Sequence, residues 1–253
     1  MVLIMNEPPQ IPFKELVLTS APLRRELNKV YEQLPVIRCD RQVNCCSLLP
    51  EMTFLEALHA MSTMFSWPSS DRITTIKKII RYFLCNAVEI SSCPFLQGQD
   101  CLIYPDRFFG CRAYGLWSRK YYRDFADKNR QGKLFLKQHW EKLGISLPEE
   151  VLSFEVPYCS RVESDIPGII TDALLSAAAD RIEKLSGDLE PWDRDFRENY
   201  FSDLSFFLTG LQFGTQEAVR LKYFVTRDII LNQDRTRLDQ ALSRVIDFIQ
   251  ENR

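Results

Sequence analysis

Glycine is scarce in this chain, nine residues of 253, and the motifs that depend on it are missing. There is no G-x-x-x-x-G-K-[ST] phosphate loop, no G-x-G-x-x-G dinucleotide turn and no G-x-S-x-G nucleophile elbow. Nor is there an H-E-x-x-H zinc helix, and only two histidines exist, His59 and His139. Charge of one sign is not in excess. Lys and Arg number 32 against 34 Asp and Glu, for a net charge of −2. Without a global basic field the composition speaks against nucleic acid as a partner. No run approaches the roughly 18 apolar residues that a membrane-spanning helix needs. The opening M-V-L-I-M is too short and lacks the basic flank of a secretory signal, so the expected location is the cytoplasm.

Alternation of period two is weak, and helical spacing takes its place. Residues 16–33 put Leu16, Leu23, Leu27 and Val30 near one face. Residues 71–88 follow Ser69-Ser70-Asp71, an N-cap cluster, and align Ile73, Ile76, Ile80 and Phe83. Trp117, Tyr121 and Phe125 start another pattern, which Gly132 interrupts or bends before it resumes through Leu136, Trp140 and Leu143. Ser146 and Glu149 have capping-box spacing. Later stripes cover 166–185, 196–211, 218–229 and 238–249. The expected fold is mainly α, with an irregular cysteine-rich metal-binding module packed on a helical bundle. The chain divides at the Pro-containing stretch 154–167, into 1–153 with the cysteine module and a helical 154–253 packed with it as one unit.

Eight cysteines remain to be explained, and six of them fall in two groups. The first reads C-D-R-Q-V-N-C-C and contributes Cys39, Cys45 and Cys46. The second, residues 93–112, contributes Cys93, Cys101 and Cys111. Both lie outside the helical stripes, in polar or Pro/Gly/Asp-containing chain that needs something to hold it. Burial of thiols as small apolar groups does not explain their grouping. In a reducing compartment clustered cysteines point to metal or redox chemistry rather than disulfides. A helical hairpin over residues 53–88 returns the chain to its starting end, so both groups can share one soft-metal site. Six thiolates exceed the four ligands of a single zinc or of a simple cluster, but a cluster is larger than one ion and accepts more varied ligand directions, so an iron–sulfur cluster such as 4Fe-4S is expected, with zinc as the alternative. Cys45 and Cys46 are adjacent, and in extended chain they point to opposite sides. Cys85 is either an extra ligand or a surface thiol near a helix end, and Cys159 is structural. Arg107 and Arg112 flank the last ligand and can offset its charge. His59 and His139 read as polar edges of the core. Y-G-L-W-S-R-K-Y-Y-R reads as a solvated helix face with snorkelling cations.

The two groups resemble the CxxCxxCC cysteine-cluster family, the YkgJ-type or zinc- or iron-chelating domain. Its first motif, C-x2-C-x2-C-C, aligns with Cys39, Gln42, Cys45 and Cys46, and L-P-E-M-T-F-L-E-A resembles the helix start that follows. Its second motif is matched by Cys93-Pro94-Phe95-Leu96, by Cys101-Leu102-Ile103-Tyr104 and by Arg107 to Arg112 around Cys111. Gln42 stands where the family has its second cysteine, and an amide is a poor soft-metal ligand; Phe108 stands in place of the usual Pro. The resemblance covers roughly residues 38–115 and implies a metal-binding cluster protein with a redox or protein-modification role. Distant relatives with a similar arrangement include flagellin lysine-N-methylases that look like iron–sulfur proteins using S-adenosylmethionine. The radical-enzyme spacing C-x3-C-x2-C is absent here. A zinc-stapled interaction protein is the non-enzymatic alternative. The partner or substrate expected in either case is another protein.

Overall fold

The computed structural model describes residues 13–38, 43–160, 162–164 and 171–247. The described chain is mainly helical. Helices α1 (Phe13–Thr19) and α2 (Ala21–Glu32) lead into strand β1 (Ile37–Arg38). After a 3-10 turn at Asn44–Cys46 come α3 (Phe54–Phe65) and α4 (Ser69–Cys85). A short hairpin, β2 (Leu96–Gln97) and β3 (Asp100–Cys101), precedes a 3-10 turn at Tyr104–Asp106 and α5 (Phe109–Arg112). Then follow α6 (Arg119–Lys142), α7 (Glu149–Ser153) and β4 (Glu163–Ser164). The C-terminal helices are α8 (Asp172–Gly187), α9 (Trp192–Tyr200), α10 (Leu204–Phe213), α11 (Thr215–Asn232) and α12 (Thr236–Ser243).

Helix α3 is the axis of the fold. Thr53 and Glu56 form a reciprocal capping box at its start. From there Phe54, Leu55, Ala57, Leu58, Ala60, Met61 and Met64 are all buried, so the helix is apolar around most of its circumference. It packs against α1, α2, α8 and α9, while α4 packs against α10, α11 and α12. The two halves of the chain thus share one continuous core. Strand β1 pairs antiparallel with β4, Ile37 opposite Ser164, which carries the end of the Pro-containing stretch back to the first cysteine loop. At the core's centre Phe54 meets Phe196 and Phe207 at 5.6 and 5.8 Å between ring centroids. Gly210 lets α9 close onto α10: a Cβ there would stand 2.8 Å from Tyr200 Cε1.

Several helix boundaries depart from the periodic pattern for identifiable reasons. The stripe at 16–33 is two helices, broken at Ser20, because Pro22 has no N–H for a bond four residues back. The stripe at 196–211 is also two helices. Phe201 and Ser202 have left-handed φ, and Asp203 caps α10 by accepting from Ser205 N and Phe206 N. Gly132 does not interrupt α6, which runs unbroken for 24 residues. Ser146 forms no capping box, since α7 starts after Pro148 with no side-chain cap. Helix α4 likewise starts at Ser69 behind Pro68, and Ser69 Oγ donates to Asp247 at 2.6 Å instead of capping. The start of the pattern at 166–185 and the end of the one at 238–249 lie outside the described residues.

Candidate metal centre

Four separate segments bring described cysteines together. Cys45 and Cys46 sit in the 3-10 turn, Cys93 in the loop after α4, Cys101 in β3 and Cys111 in α5. Cys39 and Gln42 lie outside the described residues. The first and second cysteine loops touch: Cys93 N donates to Cys46 O at 2.7 Å, and Gly110 in α5 packs on Pro50, so closely that a Cβ would sit 3.1 Å from the ring. The adjacent pair does not point to opposite sides. The turn replaces extended backbone, and the two sulfurs lie 3.8 Å apart. Val43, which enters this turn, holds φ at 52°, a strained value for a β-branched residue.

The electrostatics show that the thiols sense one another. Burial, reinforced by Cys101 and Cys45, pushes the Cys93 thiol up to about 12. Burial also raises Cys101, with Cys45 adding and Arg107 opposing. Cys111 stands well above an ordinary thiol, first from burial and then from Cys93, Cys45 and Cys101. Cys46 is raised by its hydrogen bond to Cys45, by burial and by Cys45, Cys93 and Cys101. Cys45 moves the other way, to about 7, because of that same hydrogen bond and the nearby Arg107 guanidinium. Crowded thiols that resist ionisation without a counter-charge suit a cation, since metal binding replaces their protons. Yet among the described residues no three His, Cys, Asp or Glu side chains stand in an arrangement that could hold an ion. The described thiols are neighbours, not a closed ligand set. Their donor chemistry, soft and sulfur-only, fits zinc or an iron–sulfur cluster and not a hard cation.

The two arginines flanking Cys111 have different jobs. Arg107 acts on Cys45, Cys101 and Cys111, its guanidinium stacks 4.1 Å over Tyr104, and its Nε is buried without a hydrogen-bond partner. It is the local counter-charge. Arg112 is a splint: its Nε donates to Arg107 O at 2.9 Å, its Nη2 to Pro105 O, and its plane stacks 4.1 Å over Tyr31.

A polar ladder on α3, invisible to motif reasoning, anchors the same loop. Glu56, 4% exposed, accepts from Phe109 N at 2.6 Å and Tyr31 Oη at 2.8 Å through one oxygen. The other oxygen accepts from Thr53 N and Thr53 Oγ1, both at 3.0 Å. One turn on, His59 Nε2 stands 3.2 Å from Asp106 Oδ1. That contact is an ion-pair approach, not an assigned hydrogen bond. Burial holds the imidazole below the usual histidine value, with Asp106 opposing. Thr63 Oγ1 donates to Asp106 Oδ2 at 2.9 Å. His59 is thus a buried member of this ladder, whereas His139 is exposed on α6. The only sequence signal for the ladder was T-F-L-E at the start of α3, and it announces a cap, not an anchor.

Compared with known proteins, the chain matches no family model, no curated protein and no solved structure. The site is therefore read from its own residues. Cys85 is no surface thiol. It is fully buried, because α4 is covered on its second face by α10 and α11, and burial pushes it up to about 11. The charged groups that act on it most are Glu89, Arg81, Arg235 and Lys222. Cys159 is buried against Gly115, whose absent side chain leaves room for Val162 and Cys159.

Proposed function

We propose that this chain is a metal-binding cysteine-cluster protein, with Cys39, Cys45, Cys46, Cys93, Cys101 and Cys111 as ligands and an iron–sulfur cluster as the group they hold. The observation that carries the reading is that five thiols from four segments lie close enough to act on one another, with Arg107 acting on three of them, Cys45, Cys101 and Cys111. A single zinc and a simple cluster both take four ligands, but a cluster is larger than one ion and accepts thiolates that arrive from more varied directions. When bound, such a cluster supplies electron transfer or a Lewis-acidic iron. The protein's own residues supply the thiolates, with Arg107 as counter-charge and Glu56 and Asp106 fixing the loop that delivers Cys111. The resemblance to the CxxCxxCC family points the same way, towards a redox or protein-modification role with a protein as partner or substrate. A location in the cytoplasm belongs to this reading, because it rests on thiols staying reduced. Among the described residues no helix is long and apolar enough to cross a membrane.

Anaerobic purification followed by iron, sulfide and zinc analysis and an absorption spectrum tests the assignment. Iron with acid-labile sulfide and broad visible absorption is expected. One zinc per chain, with no iron taken up on anaerobic reconstitution, would replace the cluster with a staple. Single Ser substitutions at Cys93, Cys101 and Cys111 should each empty the site, whereas Cys85→Ser and Cys159→Ser should leave metal content unchanged.

A further inference from the structure

Helix α6 is an outrigger. Of its 24 residues only Trp140 is buried, and its main helical neighbour is the short α7. At about 100° per residue, its half-buried and buried positions, Tyr122, Ala126, Lys133, Lys137 and Trp140, share one arc of roughly 60°. A second apolar arc of similar width lies about a quarter-turn away and is uncovered. It carries Tyr121, Phe125, Leu136 and Leu143, exposed by 39 to 53%, and is bordered by Phe135 at 73%. A solvated helix face does not carry large apolar side chains in register at both of its ends, as Tyr121 and Phe125 are with Leu136 and Leu143.

The helix is also basic. It holds eight Lys and Arg against three Asp and Glu, in a chain where acidic residues outnumber basic ones. Lys120 and Arg130 are engaged by Asp124, Asp127 and Glu155. Lys128 and Lys142, which border the stripe, have no ion pair among the described residues. The stripe connects to the cysteine site through rings. Tyr121 stacks on Trp117 at 3.9 Å, and Trp117 meets Phe109 edge-on at 6.4 Å, two residues from Cys111.

We propose that this stripe is the docking face for an acidic, helical segment of a partner protein, adjoining the cysteine cluster. The claim about docking stands on the helix alone; that the docked partner is one the cluster serves rests on the metal-binding reading. An apolar arc along one side of the helix, interrupted only by Lys128, Gly132 and His139, matches the apolar face of a second helix. Aromatic anchors rimmed by cations match an interface whose partner is negative. An anionic bilayer would meet the whole chain, whose net charge is −2, whereas a short acidic helix meets only the basic α6.

The probe is a fluorescein-labelled 20-residue amphipathic peptide with leucines at three- and four-residue spacing flanked by glutamates. A control replaces every Glu with Gln. Fluorescence anisotropy is measured on the full chain, with and without bound metal. The Glu peptide should bind at least tenfold tighter than the Gln peptide in 50 mM salt, and the ratio should shrink as salt rises. Phe125→Ser with Phe135→Ser should weaken binding at least tenfold while circular dichroism stays unchanged. Lys128→Glu with Lys142→Glu should invert the preference. Equal binding by the Phe variant, equal binding of the two peptides, or tighter binding to phosphatidylserine vesicles or oligo-dT would overturn the proposal. So would a dimer in sedimentation that Phe135→Ser dissolves, since the occupant would then be a second copy. Binding that survives metal removal upholds the docking face even if the metal assignment fails. Loss of binding in iron-loaded protein sinks docking and leaves the cluster standing.

Discussion

Replacing Glu56 by Gln changes one atom and should cost more than most surface deletions. The carboxylate serves four donors in pairs, Tyr31 Oη and Phe109 N on one oxygen, Thr53 N and Thr53 Oγ1 on the other. Glutamine has one acceptor oxygen and one donor NH2. Whichever way the amide turns, it faces a backbone N–H with a donor of its own. If the oxygen keeps Tyr31 and Phe109, the cap at Thr53 N is lost; if it keeps Thr53, α5 loses its anchor beside Cys111. Tyr31 Oη and Thr53 Oγ1 can rotate to accept, but the N–H groups cannot. A hydrogen bond to a charged group is worth about 1.5–3 kcal/mol, and an orphaned buried donor costs about 1–3 kcal/mol. Part of the two costs describes the same lost contact, so a net loss of about 3 kcal/mol is expected. Urea unfolding followed by circular dichroism measures it, with an unchanged slope showing that the same surface is exposed. Metal retention under a chelator should fall in the same variant, because Phe109 N and Cys111 belong to one helical turn. A loss below about 1 kcal/mol, or weakened folding with unchanged metal retention, would show that Glu56 does not position the cysteine loop.

Two further outcomes follow from the site and its frame. In metal-free protein Cys45, held near 7, should be alkylated by iodoacetamide before Cys93 and Cys111 as pH rises, because burial keeps those two protonated and slow. Peptide mapping across pH 6–9 reads this directly, and labelling of Cys111 before Cys45 would contradict the electrostatics. Arg72 is 2% exposed and pairs with Asp247 through Nη2 at 2.8 Å and Nε at 3.1 Å, tying the segment after α12 to α4. Arg72→Ala removes the buried guanidinium that pairs with Asp247 and should cost about 3–5 kcal/mol, whereas the double substitution Arg72→Met with Asp247→Leu should recover much of it. A double variant no better than the single one would mean that Arg72 acts through its bonds to Phe65 O and Trp67 O.

The helical class and the place of most helices were legible in the residue order, because burial of one face at period 3.6 leaves its mark there. So was the grouping of thiols, since local spacing is written directly in the chain. What spacing could not carry was direction. Cys45 and Cys46 look divergent as letters, yet a 3-10 turn brings their sulfurs within 3.8 Å. Cys85 sits on the polar side of α4 by helical angle, yet a second layer from the C-terminal half buries it. Pro22 and Asp203 cut two long stripes into pairs, through local bonding that hydrophobic period does not register. The anchors of the cysteine loop, Tyr31, Glu56 and Asp106, come from three distant stretches. Their partnership exists only once α2, α3 and the loop before α5 are packed together. Long-range polar pairs of this kind have no period and no motif, so it is packing in three dimensions that settles which carboxylate holds which loop.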